Sequence, residues 1–253
     1  MKSILVPLLC LLSFSCFSAS APQDTLIDTA HYDDGDKIPY LLTQTPGSPP
    51  KYILILMPGG NGIMNIQKNP DGSIYFQSGG NFLIRSRSIF ADEAFATVSL
   101  DGDRSVKRMR AVVADIKSKF SGTQIYIVGT SRSTLATIYL AENMDGEVNG
   151  FIHTSSMSAI GGLDTRNSKS RNLIVAHKLD GCRLTPASSS IENHERYGTD
   201  LILMEGGITE GDPCQAMGYH GYNGIEGDTI ERIKHWIKGK PAQTDLGKSN
   251  PAK

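Results

Sequence analysis

The sequence predicts an α/β fold: a mostly parallel central sheet with helices on both faces. Three observations point to it. Short apolar runs such as YILILM (52–57), QIYIV (124–128) and NLIVAH (172–177) show no polar alternation, which suits strands buried on both faces. Stretches between them carry apolar residues at helical spacing. The two patterns alternate along 253 residues, a length that fits one domain of moderate size.

The chain opens with a segment that reads as an export signal. Lys2 gives a positive start, residues 4–17 an apolar core, and Ser18-Ala19-Ser20-Ala21 the small residues of a cleavage site. Residues 1–20 are therefore expected to leave, with the cut near 19–21. The apolar run is short for a membrane span and Pro7 interrupts it. Phe14-Ser15 is a poor approach to Cys16 for lipid attachment, so the expected location is periplasmic or secreted. Removal of the signal takes Cys10 and Cys16 and leaves Cys182 and Cys214, which an exported chain is expected to pair.

Residues 21–240 form the expected domain. Residues 24–36 are polar with short apolar pieces, and KIPYLLTQ (37–44) reads as an early strand. YILILM (52–57) is a buried strand that ends in Pro58-Gly59-Gly60-Asn61-Gly62. The segment 63–80 holds a hairpin turn at Asn69-Pro70-Asp71-Gly72 and is the candidate for a small flap. NFLIRSRSIFADEAF (81–95) reads as helical, with Phe82, Ile89 and Phe90 near one face. ATVSLD (96–101) is the next strand and 104–120 an amphipathic helix, apolar at Val106, Met109, Val113, Ile116 and Phe120. Strands follow at 124–128, 148–154, 172–177 and 200–205, with helices at 133–144 and 229–237. The connection 155–171 is too short for a large cap domain. Residues 241–253 form a polar tail.

Ligands of open parallel sheets bind beyond the carboxyl ends of the strands, and three chemically useful residues fall there. Ser131 lies in Gly129-Thr130-Ser131-Arg132-Ser133, between an apolar strand and a helix. A sharp turn at that place would expose its hydroxyl, with small residues two positions away on either side. The plain alternative is a serine that only caps the helix. Asp180 follows the 172–177 strand by three residues and could orient a histidine, although Asp-Gly is also a common turn pair. It is better placed than Asp164, Asp200 or Asp228. His220 sits on a glycine-rich loop between the last strand and the last helix. His153 and His177, at strand ends, read as structural.

Serine, aspartate and histidine, in that order and each after a different strand, suit acyl transfer. The imidazole takes the hydroxyl proton and returns it to the leaving group. The oxyanion that forms needs fixed donors. The N–H of Arg132 is one candidate, and Gly60 or Asn61 supplies the second. A Cys182–Cys214 disulfide would then tie the acid loop to the base loop.

With LILMPGGNG as an oxyanion loop, YIVGTSRST as a nucleophile elbow, LIVAHKLDGC as an acid loop and GYHGY as a histidine loop, the chain resembles the α/β-hydrolases over roughly residues 50–238. It is similar to small exported bacterial members of unassigned substrate. The resemblance implies a minimal α/β-hydrolase fold, with Ser131 as nucleophile, His220 as base and Asp180 as orienting acid. Two positions depart from the family's pattern: Ser133 replaces the second elbow glycine, and Pro58 stands where many members have histidine.

The expected activity is cleavage of an ester, or an amide, through an acyl-enzyme. The alternatives are a silent hydrolase-fold binding protein and a peptidase. No cofactor or metal is expected: HExxH, a GxGxxG after a strand and a P-loop are all missing. The expected partner is a small acyl substrate. A net charge of −1 gives the whole chain no large electrostatic pull on nucleic acid or acidic lipid, and a local patch stays open. Oligomeric state, and acyl and alcohol preference, are not legible.

Overall fold

The computed structural model describes residues 23–242 and Thr244, apart from residues 33, 34 and 48. The signal at 1–20, Cys10, Cys16 and most of the polar tail lie outside the described residues.

One eight-stranded sheet organises the chain. Its strands are β1 (Asp24–His31), β2 (Lys37–Gln44), β3 (Tyr52–Met57), β6 (Phe95–Ser99), β7 (Gln124–Thr130), β8 (Gly150–Thr154), β9 (Arg171–His177) and β10 (Asp200–Met204). A separate two-stranded ladder pairs β4 (Gln67–Lys68) with β5 (Ile74–Tyr75). The helices are α1 (Phe82–Arg85), α2 (Arg87–Phe90), α3 (Val106–Lys119), α4 (Thr134–Asn143), α5 (Ala187–Tyr197) and α6 (Glu226–Ile237). The spatial strand order is β1-β2-β6-β3-β7-β8-β9-β10. From β6 to β10 every pairing is parallel; β1 and β2 add an antiparallel edge.

The apolar runs behave as their composition requires. All six residues of β3 are buried, and so are all of β6 and β8. One face packs on α3, α4 and α5 through residues such as Ile55, Val112 and Leu140. The other packs on α1, α2 and α6 through Leu56, Phe82, Phe90 and Trp236. The last helix buries Ile230, Ile233, Trp236 and Ile237, which fall at helical spacing on its inner face.

Three elements differ from expectation. The segment 24–31 is a full edge strand, which its polar composition hides. The stretch 81–95 is two single turns broken at Ser86, and it ends at Phe90; Ala91 is already extended, Asp92 caps the following turn by accepting from the Ala94 and Phe95 N–H groups, and Ile89 is 47% exposed. Helix α5, ASSSIENHERY, is so polar that hydropathy does not announce it; it ends where Gly198 adopts φ 74°.

Candidate active site

Strand β7 delivers Ser131. The strand ends at Thr130, and residues 131–133 form one 3-10 turn that leads into α4. Ser131 has φ 53°, in the left-handed region that non-glycine residues seldom occupy. The crowding that demands small neighbours is visible at Gly129: a Cβ there would lie 2.7 Å from the Ser133 carbonyl oxygen and 2.8 Å from Thr137 Cγ2. Ser131 is not a capping serine. The residue preceding α4 is Ser133, and it makes no side-chain cap bond. Thr134 locks the turn instead, donating to the Ser131 carbonyl at 2.6 Å and accepting from the Met157 N–H at 2.9 Å.

The loop after β3 lies against this turn. A Cβ on Gly59 would come within 2.9 Å of Ser131 Cβ, so only glycine lets the backbones approach so closely. Gly60 takes φ 66°. Asn61 shapes the loop by accepting from the Ile63 N–H through its side chain. Ser133, buried, donates its hydroxyl to the Pro58 carbonyl. The space that hydroxyl needs is left by Gly102, where a Cβ would collide with it.

Asp180 follows β9, and its carboxylate meets His220 from the loop between β10 and α6. His220 Nδ1 lies 2.9 Å from Asp180 Oδ2. Both side chains are almost wholly buried, at 6% and 2% exposure. The Cys182 N–H donates to the other Asp180 oxygen at 2.9 Å. Thr185 donates to Asp180 Oδ2 at 3.0 Å and lies 3.1 Å from His220 Nδ1. A carboxylate on Nδ1 fixes the ring orientation and leaves Nε2 as the nitrogen available to a partner. The competing aspartates are occupied elsewhere: Asp164 with Arg166, Asp200 with Trp236 Nε1, Asp228 with Arg232.

The histidine loop is braced from three sides. Ser155 donates its hydroxyl to the His220 carbonyl at 2.6 Å. Tyr222, fully buried, accepts from the Ser155 N–H and donates to the Val175 carbonyl. Arg85 donates to the Gly221 carbonyl at 2.7 Å and pairs with Glu226 at 2.9 Å. At Gly221 any Cβ would strike the Ala216 backbone. Sequence reading missed Thr185, Ser155 and Arg85. Only Thr185 left a trace, as a hydroxyl five residues beyond Asp180 in the same loop.

The cysteines form a disulfide, Cys182–Cys214, across the loops that carry Asp180 and His220. Both border a cleft of about 880 Å³. Ser131, His220, Gly60, Asn61 and Arg132 line the same cleft, whose walls include Phe82, Leu135 and Met157. The Ser131 hydroxyl makes no hydrogen bond among the described residues; such bonds often tighten only when substrate is present.

The remaining histidines at strand ends are structural. His153 is wholly buried between Thr137 and Asn172, and burial pushes it down to about 4. His177 stacks on Tyr219 at 4.6 Å and bonds the Gly206 carbonyl; burial lowers it as well.

Sheet order, elbow and loop placement together define an α/β-hydrolase fold. Solved structures agree. An α/β serine hydrolase homologue from Coxiella burnetii is 14% identical, with a TM-score of 0.55 over 85% of this chain and 96% of that one. Est1E from Butyrivibrio proteoclasticus is 15% identical, with a TM-score of 0.57 over 84% and 98%. A lidless α/β serine hydrolase from Xanthomonas campestris is 12% identical, with a TM-score of 0.53 over 85% and 97%. No family model matches the chain. No curated protein matches it in sequence.

Proposed function

We propose that the protein is an exported serine hydrolase that cleaves a carboxylic ester. The observation that carries this reading is the buried Asp180–His220 pair, whose histidine lines the same cleft as Ser131 in its left-handed backbone. Ser131 Oγ attacks the ester carbonyl carbon while its proton passes to His220 Nε2. The oxyanion is received by backbone N–H groups of Arg132 and of Gly60 or Asn61. Collapse re-forms the carbonyl and breaks the bond between that carbon and the alkoxy oxygen, and the imidazolium gives its proton to the departing alcohol. Water then repeats the step, losing a proton to His220, and the carboxylic acid leaves as Ser131 recovers its proton. Asp180 stabilises the imidazolium throughout.

Export is supported by the Cys182–Cys214 bridge, since such bonds persist in oxidising compartments. Among the described residues no helix is long and apolar enough to cross a membrane. The test is labelling of intact protein with a fluorophosphonate probe. Wild type is expected to take one label and Ser131→Ala none. A folded wild type that stays unlabelled overturns the reading.

A further inference from the structure

Next to the cleft lies a second cavity of about 440 Å³, with Gly60, Asn61 and Arg132 in the wall common to both. Arg104 and Arg132 border it together, among the backbones of Gly60, Gly62 and Gly102. No acidic side chain lines either cavity. The nearby carboxylates are engaged: Asp103 pairs with Arg108 at 2.9 Å, and Asp101 accepts from the Met64 N–H at 2.6 Å. Among the described residues neither Arg104 nor Arg132 has a carboxylate partner. Two guanidiniums without a counter-ion, at a concave wall, are matched to an oxyanion group such as carboxylate or phosphate.

The direction of the substrate follows from His220. It must protonate the leaving alcohol, and it lines the cleft but not the second cavity. The alcohol half therefore occupies the cleft on the histidine side, and the acyl half runs past Arg132. We infer that the acyl half ends in an anionic group that Arg104 and Arg132 receive. This inference rests on the hydrolase reading above and deepens it: the substrate is a monoester of a diacid, or an acyl chain ending in phosphate. Both arginines are exposed, so the attraction is screened by salt.

Two measurements test it. The first compares 4-nitrophenyl hexanoate with mono-4-nitrophenyl adipate, two esters of equal chain length. Wild type is expected to favour the adipate ester in kcat/KM by about tenfold, and Arg104→Gln to erase that preference through KM, an effect on the order of one charged hydrogen-bonded contact. An unchanged ratio in Arg104→Gln overturns the subsite, while Ser131-dependent turnover of the hexanoate ester leaves the hydrolase reading intact. The second needs no turnover: calorimetric titration of glutarate and of inorganic phosphate into Ser131→Ala protein. Binding that Arg104→Gln abolishes supports the site, and the tighter ligand identifies the group. Absence of binding by both, or binding indifferent to Arg104→Gln, overturns it. If neither ester is turned over above the Ser131→Ala level, the hydrolase reading fails, and the titration alone decides whether the arginines hold an anion.

Discussion

The hydroxyl of Ser133 donates to the carbonyl of Pro58. These are the two positions at which the sequence departs from the pattern of the hydrolases it resembles, and the departures touch. Serine at 133 crowds the elbow, but it uses the added atoms to fasten the elbow to the loop that carries Gly60. Gly102 leaves the room. We expect Ser133→Ala to lower stability by about 1–2 kcal/mol, because the Pro58 carbonyl loses a buried partner. Ester turnover should fall by about tenfold as the loop loosens. Urea denaturation beside steady-state kinetics checks both; equal stability and turnover would show that the bond holds nothing.

Asp180→Asn keeps the shape of the acid but removes its charge. An amide can present its NH2 to Nδ1 and select the wrong tautomer. Turnover is expected to fall by about 10⁴-fold, the scale seen when such an acid is neutralised in a serine protease. Thr185→Val, which leaves the carboxylate, should cost far less. Steady-state kinetics of the two variants distinguish charge from alignment, since only Asp180→Asn removes the negative charge beside His220 Nδ1.

Reduction of Cys182–Cys214 is expected to destabilise the protein by about 2–4 kcal/mol. The closed loop contains α5 and β10. Melting with and without a thiol reductant reads the loss, and a Cys182→Ser, Cys214→Ser double variant should melt with the reduced protein. Turnover should suffer too, because both cysteines wall the cleft. A melting temperature insensitive to reductant is the contrary result.

His153 predicts acid sensitivity. Folded, it is held at about 4, against 6.5 for an exposed imidazole, by burial. The unfolded chain therefore binds a proton that the folded chain refuses between these values, and stability falls as pH drops through that window. Above pH 6.5 the contribution is complete; below about pH 4 it is gone. The span corresponds to roughly 3 kcal/mol. His153→Gln should flatten this part of a stability-versus-pH curve measured with denaturant, whatever its effect at neutral pH.

Much of this was legible because burial and chemistry agree along the strands. Apolar runs at 52–57, 124–128 and 172–177 have one place to go in a sheet covered on both faces, between two layers of helix. The residues that follow them inherit a position at the rim, so Ser131, Asp180 and His220 stand out by their order as the candidate set. What stayed hidden was held by contacts distant in sequence. β1 is polar because it is an edge strand, with a single fully buried residue, Ala30. Thr185, Ser155 and Arg85 act through hydrogen bonds to a loop up to 136 positions away. No periodicity encodes such bonds. The Arg104–Arg132 cavity was equally invisible, since the two residues border one cavity only after β6 and β7 are aligned across β3.

The backbone at Ser131 has a cost. A φ of 53° is comfortable for glycine and costs other residues about 1–3 kcal/mol. The fold is therefore more fragile than a neighbouring sequence would make it, and the fragility sits under the one hydroxyl on which the proposed chemistry depends. Ser131→Gly should melt higher than both wild type and Ser131→Ala while hydrolysing nothing. A glycine there would relax the backbone and remove the hydroxyl in one step, so robustness and the proposed chemistry pull in opposite directions at a single residue.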